Sequence, residues 1–393
     1  MSVWDEAQGL NEEHKAFRAF VREFAREHVS PIADEIDQTE TIPAETIAAF
    51  ASAGLSQLAV PAVWGGSDGD LRAICIAKEE VSRAGSSALA MLCGQNKTLV
   101  APLLKFGTDE QREALLPALS EGAIVSLCIT EPSAGSHPME MRTRAVRDGT
   151  DWVLNGQKAL ISWGELAKFA VVLAKTHAAD GESISAFIVD TAADGYIVLR
   201  HNKKMGQRGV PNVDLLIENL RVPANRMLGS VGRGLETALG MLHLNRPTMG
   251  ALAIGTAQAS MDHAISFLTE RKQGGKSLTS HQGLRWMLAD MAVELSSARA
   301  LLYECARQID EGTDLTEIST FASMVKIKAT EVGFDVTNKA LQLLGGAGYL
   351  SDYPIERYLR DVRVGTLYEG TSEIQRNTIA RAILNPKGES VRA

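Results

Sequence analysis

Apolar residues recur with helical spacing along the first third of the chain. After Asn11, a suitable N-cap, they fall at Phe17, Phe20, Val21, Phe24 and Ala25, on one face of an amphipathic helix. The pattern predicts a second helix from Pro43, a good first helical residue, to Ala53, stopped by Gly54. A turn, Pro61-Ala-Val-Trp-Gly-Gly66, follows, and helical patterns resume over 70–83, 88–106 and 109–119. The middle changes period. Short apolar runs at 125–130, 142–147, 152–154, 169–176, 184–189, 196–199 and 213–217 are separated by Gly, Asp and Asn. Asp148-Gly149 and Asn155-Gly156 both read as hairpin turns. Short strands without intervening helices predict a small antiparallel sandwich or barrel. Helical spacing then returns: from Leu235 to near Arg271, over 282–311 with Leu284, Met287, Leu288, Met291, Leu295, Ala298 and Leu302 on one face, over 319–344, and over 372–384. Residues 272–281 read as a loop. The expected fold is α+β, mainly α, with a helical domain over 1–122, a β-barrel or sandwich domain over 123–232 and a four-helix bundle over 233–393.

Composition narrows the function. The 393 residues are 45% hydrophobic and 22% charged, which is ordinary for a folded chain. The balance of 40 Lys+Arg against 48 Asp+Glu, a net charge of −8, argues against binding through nucleic-acid phosphates. Cys75, Cys93, Cys128 and Cys305 form no CxxC pair, which argues for a reduced, cytoplasmic setting. The acidic N-terminus has no secretory apolar run, and no stretch is long enough to cross a bilayer. The histidines form no metal-binding motif, and neither a GxSxG elbow nor a P-loop is present.

Four segments hold the candidate chemistry. Cys128-Ile-Thr-Glu-Pro-Ser-Ala-Gly-Ser136 is either an ordinary tight turn or a cradle of N–H and hydroxyl groups for a flat heterocycle or an anion. Asn155-Gly-Gln-Lys-Ala-Leu-Ile-Ser-Trp163 puts Ser162 at a strand end. Gln342-Leu-Leu-Gly-Gly-Ala-Gly-Tyr349 is either a helix C-cap or a place of close backbone approach. In Thr366-Leu-Tyr-Glu-Gly-Thr-Ser-Glu-Ile-Gln375, Glu369 is either a desolvated general base or incidental to capping of the last helix by Thr371 or Ser372.

In this order the segments resemble the acyl-CoA dehydrogenase family over essentially the whole chain. The resemblance is carried by Pro61 to Gly66, Ile129 to Ser136, Lys204-Met-Gly-Gln-Arg-Gly209, Leu220-Arg-Val-Pro223, Gln342 to Tyr349 and Tyr368-Glu-Gly-Thr-Ser372. It implies FAD as cofactor, a homotetramer, an acyl-CoA or acyl-carrier-protein thioester as substrate and an electron-transfer flavoprotein as partner. It further implies Glu369 as catalytic base. Leu127, Ile129 and Thr130 would meet the flavin pyrimidine edge, and Ser162 its N5. Arg271 and Gln273 would meet the diphosphate of the adjacent subunit's FAD, Gln342 and Gly346 its adenosine half, and Thr371 the phosphates. Ser136, Arg246, Tyr368 and Gly370 would meet the thioester. His137 and His243 replace aspartates of the family pattern, Leu160 a tryptophan and Gly274 a phenylalanine. The two histidines leave the thioester carrier open between CoA and a carrier protein. Two alternatives stand beside dehydrogenation: a flavin oxidase or monooxygenase on the same fold, and a non-catalytic binding or scaffold homologue.

Overall fold

The computed structural model describes residues 9–178 and 181–385. Its first region is helical: α1 (Glu12–His28), α2 (Ala33–Thr39), α3 (Ala44–Ser52), α4 (Leu71–Arg83), α5 (Ser87–Ala90), α6 (Lys97–Phe106) and α7 (Asp109–Ser120). Asn11 caps α1 through His14 N–H, as its residue type predicts, and Asp70 caps α4 through Ala73 N–H. The single helix expected over 88–106 is two, because the intervening residues turn. Gly94 there takes φ +57° and donates its N–H to the Leu55 carbonyl at 2.8 Å.

The strands are β1 (Val125–Cys128), β2 (Arg144–Asp148), β3 (Asp151–Ser162), β4 (Phe169–Ala178), β5 (Gly181–Asp190), β6 (Tyr196–His201), β7 (Asn212–Val222) and β8 (Met227–Leu228). They form one sheet in the order β6-β7-β3-β2-β4-β5-β8, with β1 on β4. The sheet is mixed where antiparallel pairing was expected: β1 runs parallel to β4, and β2 touches β4 in parallel register. Asp148-Gly149 does open the β2–β3 hairpin. Asn155-Gly156 makes no turn; it lies inside β3 at a register shift against β7. A Cβ on Gly156 would sit 2.3 Å from Thr143 Oγ1, so glycine serves close packing there. Val171 and Leu173 of β4 face a core shared with Leu99, Leu103, Leu115 and Met241, while Ala170, Val172 and Ala174 face Trp152, Val213, Leu215 and Ile217. That two-residue alternation buries β4 on both faces.

The last region contains α8 (Gly234–Glu270), a two-residue hairpin of β9 (Lys272–Gln273) and β10 (Lys276–Ser277), α9 (Gln282–Asp310), α10 (Leu315–Leu344), α11 (Ile355–Val362) and α12 (Ser372–Leu384). The hairpin lies within the expected loop, and α11 is too short to declare itself by period. Met291, Leu295, Ala298 and Leu302 are buried against α8 and α10, as the α9 stripe predicts. Gly345, at φ +59°, ends α10. No helix among the described residues is long and apolar enough to cross a membrane.

Candidate functional site

A cavity of about 360 Å³ lies where the three regions meet. The N-terminal helices contribute Lys78, Met91, Lys97 and Thr98 to its wall. The sheet contributes Leu127, Ile129, Thr130, Leu160, Ser162 and Trp163, and the C-terminal helices contribute Asn245, Arg246, Tyr368, Glu369 and Gly370.

Glu369 sits in the turn between Thr366 and α12. Its backbone is left-handed, with φ +54°, and Gly370 follows at φ +86°. A neighbouring amide holds the turn: Gln375 Nε2 donates to the Glu369 carbonyl at 3.0 Å and to the Gly370 carbonyl at 2.9 Å. Lys326 Nζ donates to the Gly370 carbonyl at 2.8 Å. Thr371 caps α12 through Ile374 N–H at 3.3 Å. The carboxylate Oε1 accepts only a long bond from Asn245 Nδ2, 3.4 Å, and Oε2 is buried without a partner. Burial raises the carboxyl pKa, and the charges of Lys97, Arg246 and Lys326 oppose the rise.

Those cations are themselves buried. Lys78, Lys97 and Arg246 are 3%, 5% and 4% exposed, and Lys326 is fully buried. Burial pushes the Lys78 ammonium down to about 8, Lys97 to about 7 and Lys326 to about 8. Lys97 is lowered further by the charge of Lys78, while Glu369 pulls in the opposite direction. The sequence carried a signal for two of them. Lys78 completes the buried spacing of Ile74, Ala77 and Val81, and Lys326 that of Ala322, Val325 and Ala329. A lysine on an apolar helical stripe is a group placed inside for a reason other than packing. Lys97 and Asn245, which bond to one another across two regions, had no such local signal.

The sheet wall combines an apolar surface with hydroxyls that have no partner among the described residues. Leu127 and Ile129 offer an apolar surface, and the hydroxyls of Thr130, Ser136 and Ser162 make no hydrogen bond within the described residues. The turn after β1 is pinned from beneath. Lys158 Nζ, fully buried, meets Glu131 Oε1 at 2.8 Å and the Ile129 carbonyl at 3.2 Å. Glu131 also accepts from Arg142 N–H at 2.6 Å and Thr143 N–H at 3.1 Å, and Thr130 accepts from Ala159 N–H at 2.9 Å. The turn is thus a rigid shelf with its free hydroxyls on the cavity side.

The structure brings Leu127, Ile129, Thr130, Ser136, Ser162, Arg246, Tyr368, Glu369 and Gly370 around this one cavity. Arg271, Gln273, Gln342 and Gly346 are exposed and line none of it, and Thr371 adjoins it as the α12 cap. His137 is exposed and His243 half-buried on α8. No cluster of metal-ligating side chains occurs among the described residues.

A sheet domain thus lies between two helical ones, and a buried glutamate carboxylate with one unpaired oxygen shares their cavity with the free hydroxyls of Thr130, Ser136 and Ser162. Three family models match in chain order: acyl-CoA dehydrogenase N-terminal domain over 11–123, middle domain over 126–220 and C-terminal domain over 232–384. The chain belongs to the acyl-CoA dehydrogenase family, whose members are FAD-dependent oxidoreductases. It is 39% identical over 377 residues to a probable acyl-CoA dehydrogenase, fadE25, of Mycobacterium leprae, covering 95% of this chain and 96% of that one. The butyryl-CoA dehydrogenase structure from Megasphaera elsdenii superposes with TM-score 0.91 at 30% identity, over 96% of this chain and 99% of that one. A glutaryl-CoA dehydrogenase of Mycobacterium smegmatis in complex with FADH2 superposes with TM-score 0.89 at 28% identity, over 98% and 97% of the two chains.

Proposed function

We propose that this enzyme introduces a double bond between the α and β carbons of an acyl thioester, with FAD as cofactor and Glu369 as base. The observation that carries the reading is the buried, partner-free Glu369 Oε2 facing the cavity it shares with Thr130 and Ser162. FAD bound there supplies the acceptor for the β hydrogen and its electron pair. Leu127, Ile129, Thr130 and Ser162 would hold the flavin ring, and Ser136, Arg246, Tyr368 and Gly370 the thioester. An α-proton of a thioester is weakly acidic, so its removal needs both a base and a donor to the carbonyl oxygen. Glu369 takes that proton on Oε2. Its burial raises its proton affinity, which narrows the gap to the carbon acid.

Arg271, Gln273, Gln342 and Gly346, exposed and away from this cavity, are suited to reach the FAD of an adjacent subunit in a homotetramer. Thr371 caps α12 through Ile374 N–H beside the cavity, the place from which the resemblance has it meet the FAD phosphates. Electrons would pass to an electron-transfer flavoprotein in the cytoplasm. The test is Glu369→Gln. The variant should keep its yellow flavin and lose turnover by about 10²-fold or more; undiminished activity sinks the assignment.

A further inference from the structure

The wall that the N-terminal helices give the cavity is built for charge. A site for a plain alkyl chain is walled by apolar side chains with few polar groups. Here the wall from the N-terminal helices carries Lys78 and Lys97, buried at 3% and 5% exposure. Each bonds to a neutral acceptor: Lys78 Nζ to the Ala90 carbonyl at 3.0 Å, and Lys97 Nζ to Asn245 Oδ1. An ammonium has three N–H groups, so both keep donors beyond these bonds. With Arg246, three cations line the cavity against the single carboxylate of Glu369.

Neighbouring groups do not resolve this excess. Gln95, on the same wall, is committed to Val125, donating to its carbonyl and accepting its N–H at 2.8 Å. Arg246 NH1 bonds Ser323 Oγ at 3.2 Å and leaves its Nε buried without a partner. Buried cations need a counter-charge or they lose their protons, and burial already drives these two lysines toward neutrality. Asn245 fixes the scale. Its Oδ1 takes Lys97, and its Nδ2 reaches Glu369 Oε1 at 3.4 Å, so one amide side chain separates the ammonium from the base. The Lys97 ammonium therefore lies within the reach of a short acyl chain from Glu369.

We infer that the acyl group of the substrate is short and ends in a carboxylate, which Lys78 and Lys97 bind. The inference rests on the thioester reading of the site, and selectivity between matched acyl groups tests it separately from turnover. Succinyl-CoA is compared with butyryl-CoA, and glutaryl-CoA with pentanoyl-CoA, each pair differing by a carboxylate in place of a methyl group. Flavin reduction by the holoenzyme is followed anaerobically. Binding is measured by calorimetry on the Glu369→Gln holoenzyme, where turnover does not interfere.

The carboxylate member of at least one pair should bind about 10²-fold or more tightly, and be preferred likewise in flavin reduction if any thioester reduces the flavin. Lys97→Met should remove that preference while leaving flavin content unchanged. Lys78→Met should do the same, and it supplies the reading if Lys97→Met fails to fold. Equal or better binding of the alkyl members overturns the inference, even if they reduce the flavin well, and the dehydrogenase reading then stands. Carboxylate-selective binding without flavin reduction by any thioester leaves the inference standing and removes the dehydrogenase reading. If the lysine variants weaken both members of each pair alike, the lysines serve the electrostatics of Glu369 and the inference fails.

Discussion

Glu369 is held at φ +54°, a conformation that costs a non-glycine residue on the order of 1–2 kcal/mol. Gln375 and Lys326 hold the carbonyls of Glu369 and Gly370 in this turn, and the result is a carboxylate aimed into a cavity with one oxygen unpaired. Its pKa is raised by burial, and a base acts only when deprotonated. kcat/KM should therefore rise with pH along a limb above the ordinary glutamate value of about 4.3. A pH profile with its acid limb at or below that value contradicts the assignment. From the sequence Glu369 was one of two readings of a turn, because neither burial nor the missing partner is a local property. Both readings coexist in the structure: Thr371 caps the helix, and Glu369 faces the cavity.

At the scale of elements, period alone located the long helices. On α1, Val21, Phe24 and Ala25 become buried while Phe20 stays 48% exposed. On α9, Met291, Leu295, Ala298 and Leu302 become buried while Leu284, Met287 and Leu288 are only partly so. The helix α10 buries its stripe, but α4 is buried almost all round, Lys78, Glu79 and Glu80 included. What period missed was set by contacts between elements. The break before α6 follows from the Gly94 bond to Leu55, and the bulge in β3 from the approach of Gly156 to Thr143. The helix α8 shows the same dependence. A Cβ on Gly255 would lie 2.2 Å from the Glu79 carbonyl oxygen of α4, so the two helices touch along their backbones. Gly255→Ala should cost about 1–3 kcal/mol although alanine is the better helix former. Chemical denaturation measures this, and a variant as stable as the parent shows that α8 and α4 can part without penalty.

Across the whole molecule, a buried polar network ties the N-terminal helices to the bundle. Glu79 of α4 accepts from Arg299 Nε and from Tyr303 O–H of α9, each at 2.8 Å. Arg299 also donates to Gln258 of α8 at 2.9 Å, and Arg18 of α1 donates to Tyr303 at 3.2 Å. Removing the carboxylate strands a buried guanidinium. Glu79→Leu should lose about 3–5 kcal/mol of stability. A loss below about 1 kcal/mol in equilibrium unfolding would mean that the network is dispensable.

The sequence by itself determined the succession of helices, strands and helices, and three of the segments that line the cavity, Cys128 to Ser136, Asn155 to Trp163 and Thr366 to Gln375. Those are properties of spacing and residue type, which each stretch carries alone. Only the tertiary structure decided which segments share a cavity, and that Lys78, Lys97 and Asn245 join Glu369 there. Their meeting depends on packing between α4, α6, α8 and the turn before α12, residues far apart in the chain. Charge and desolvation act through space, so a group's proton affinity is set by neighbours that no local pattern records.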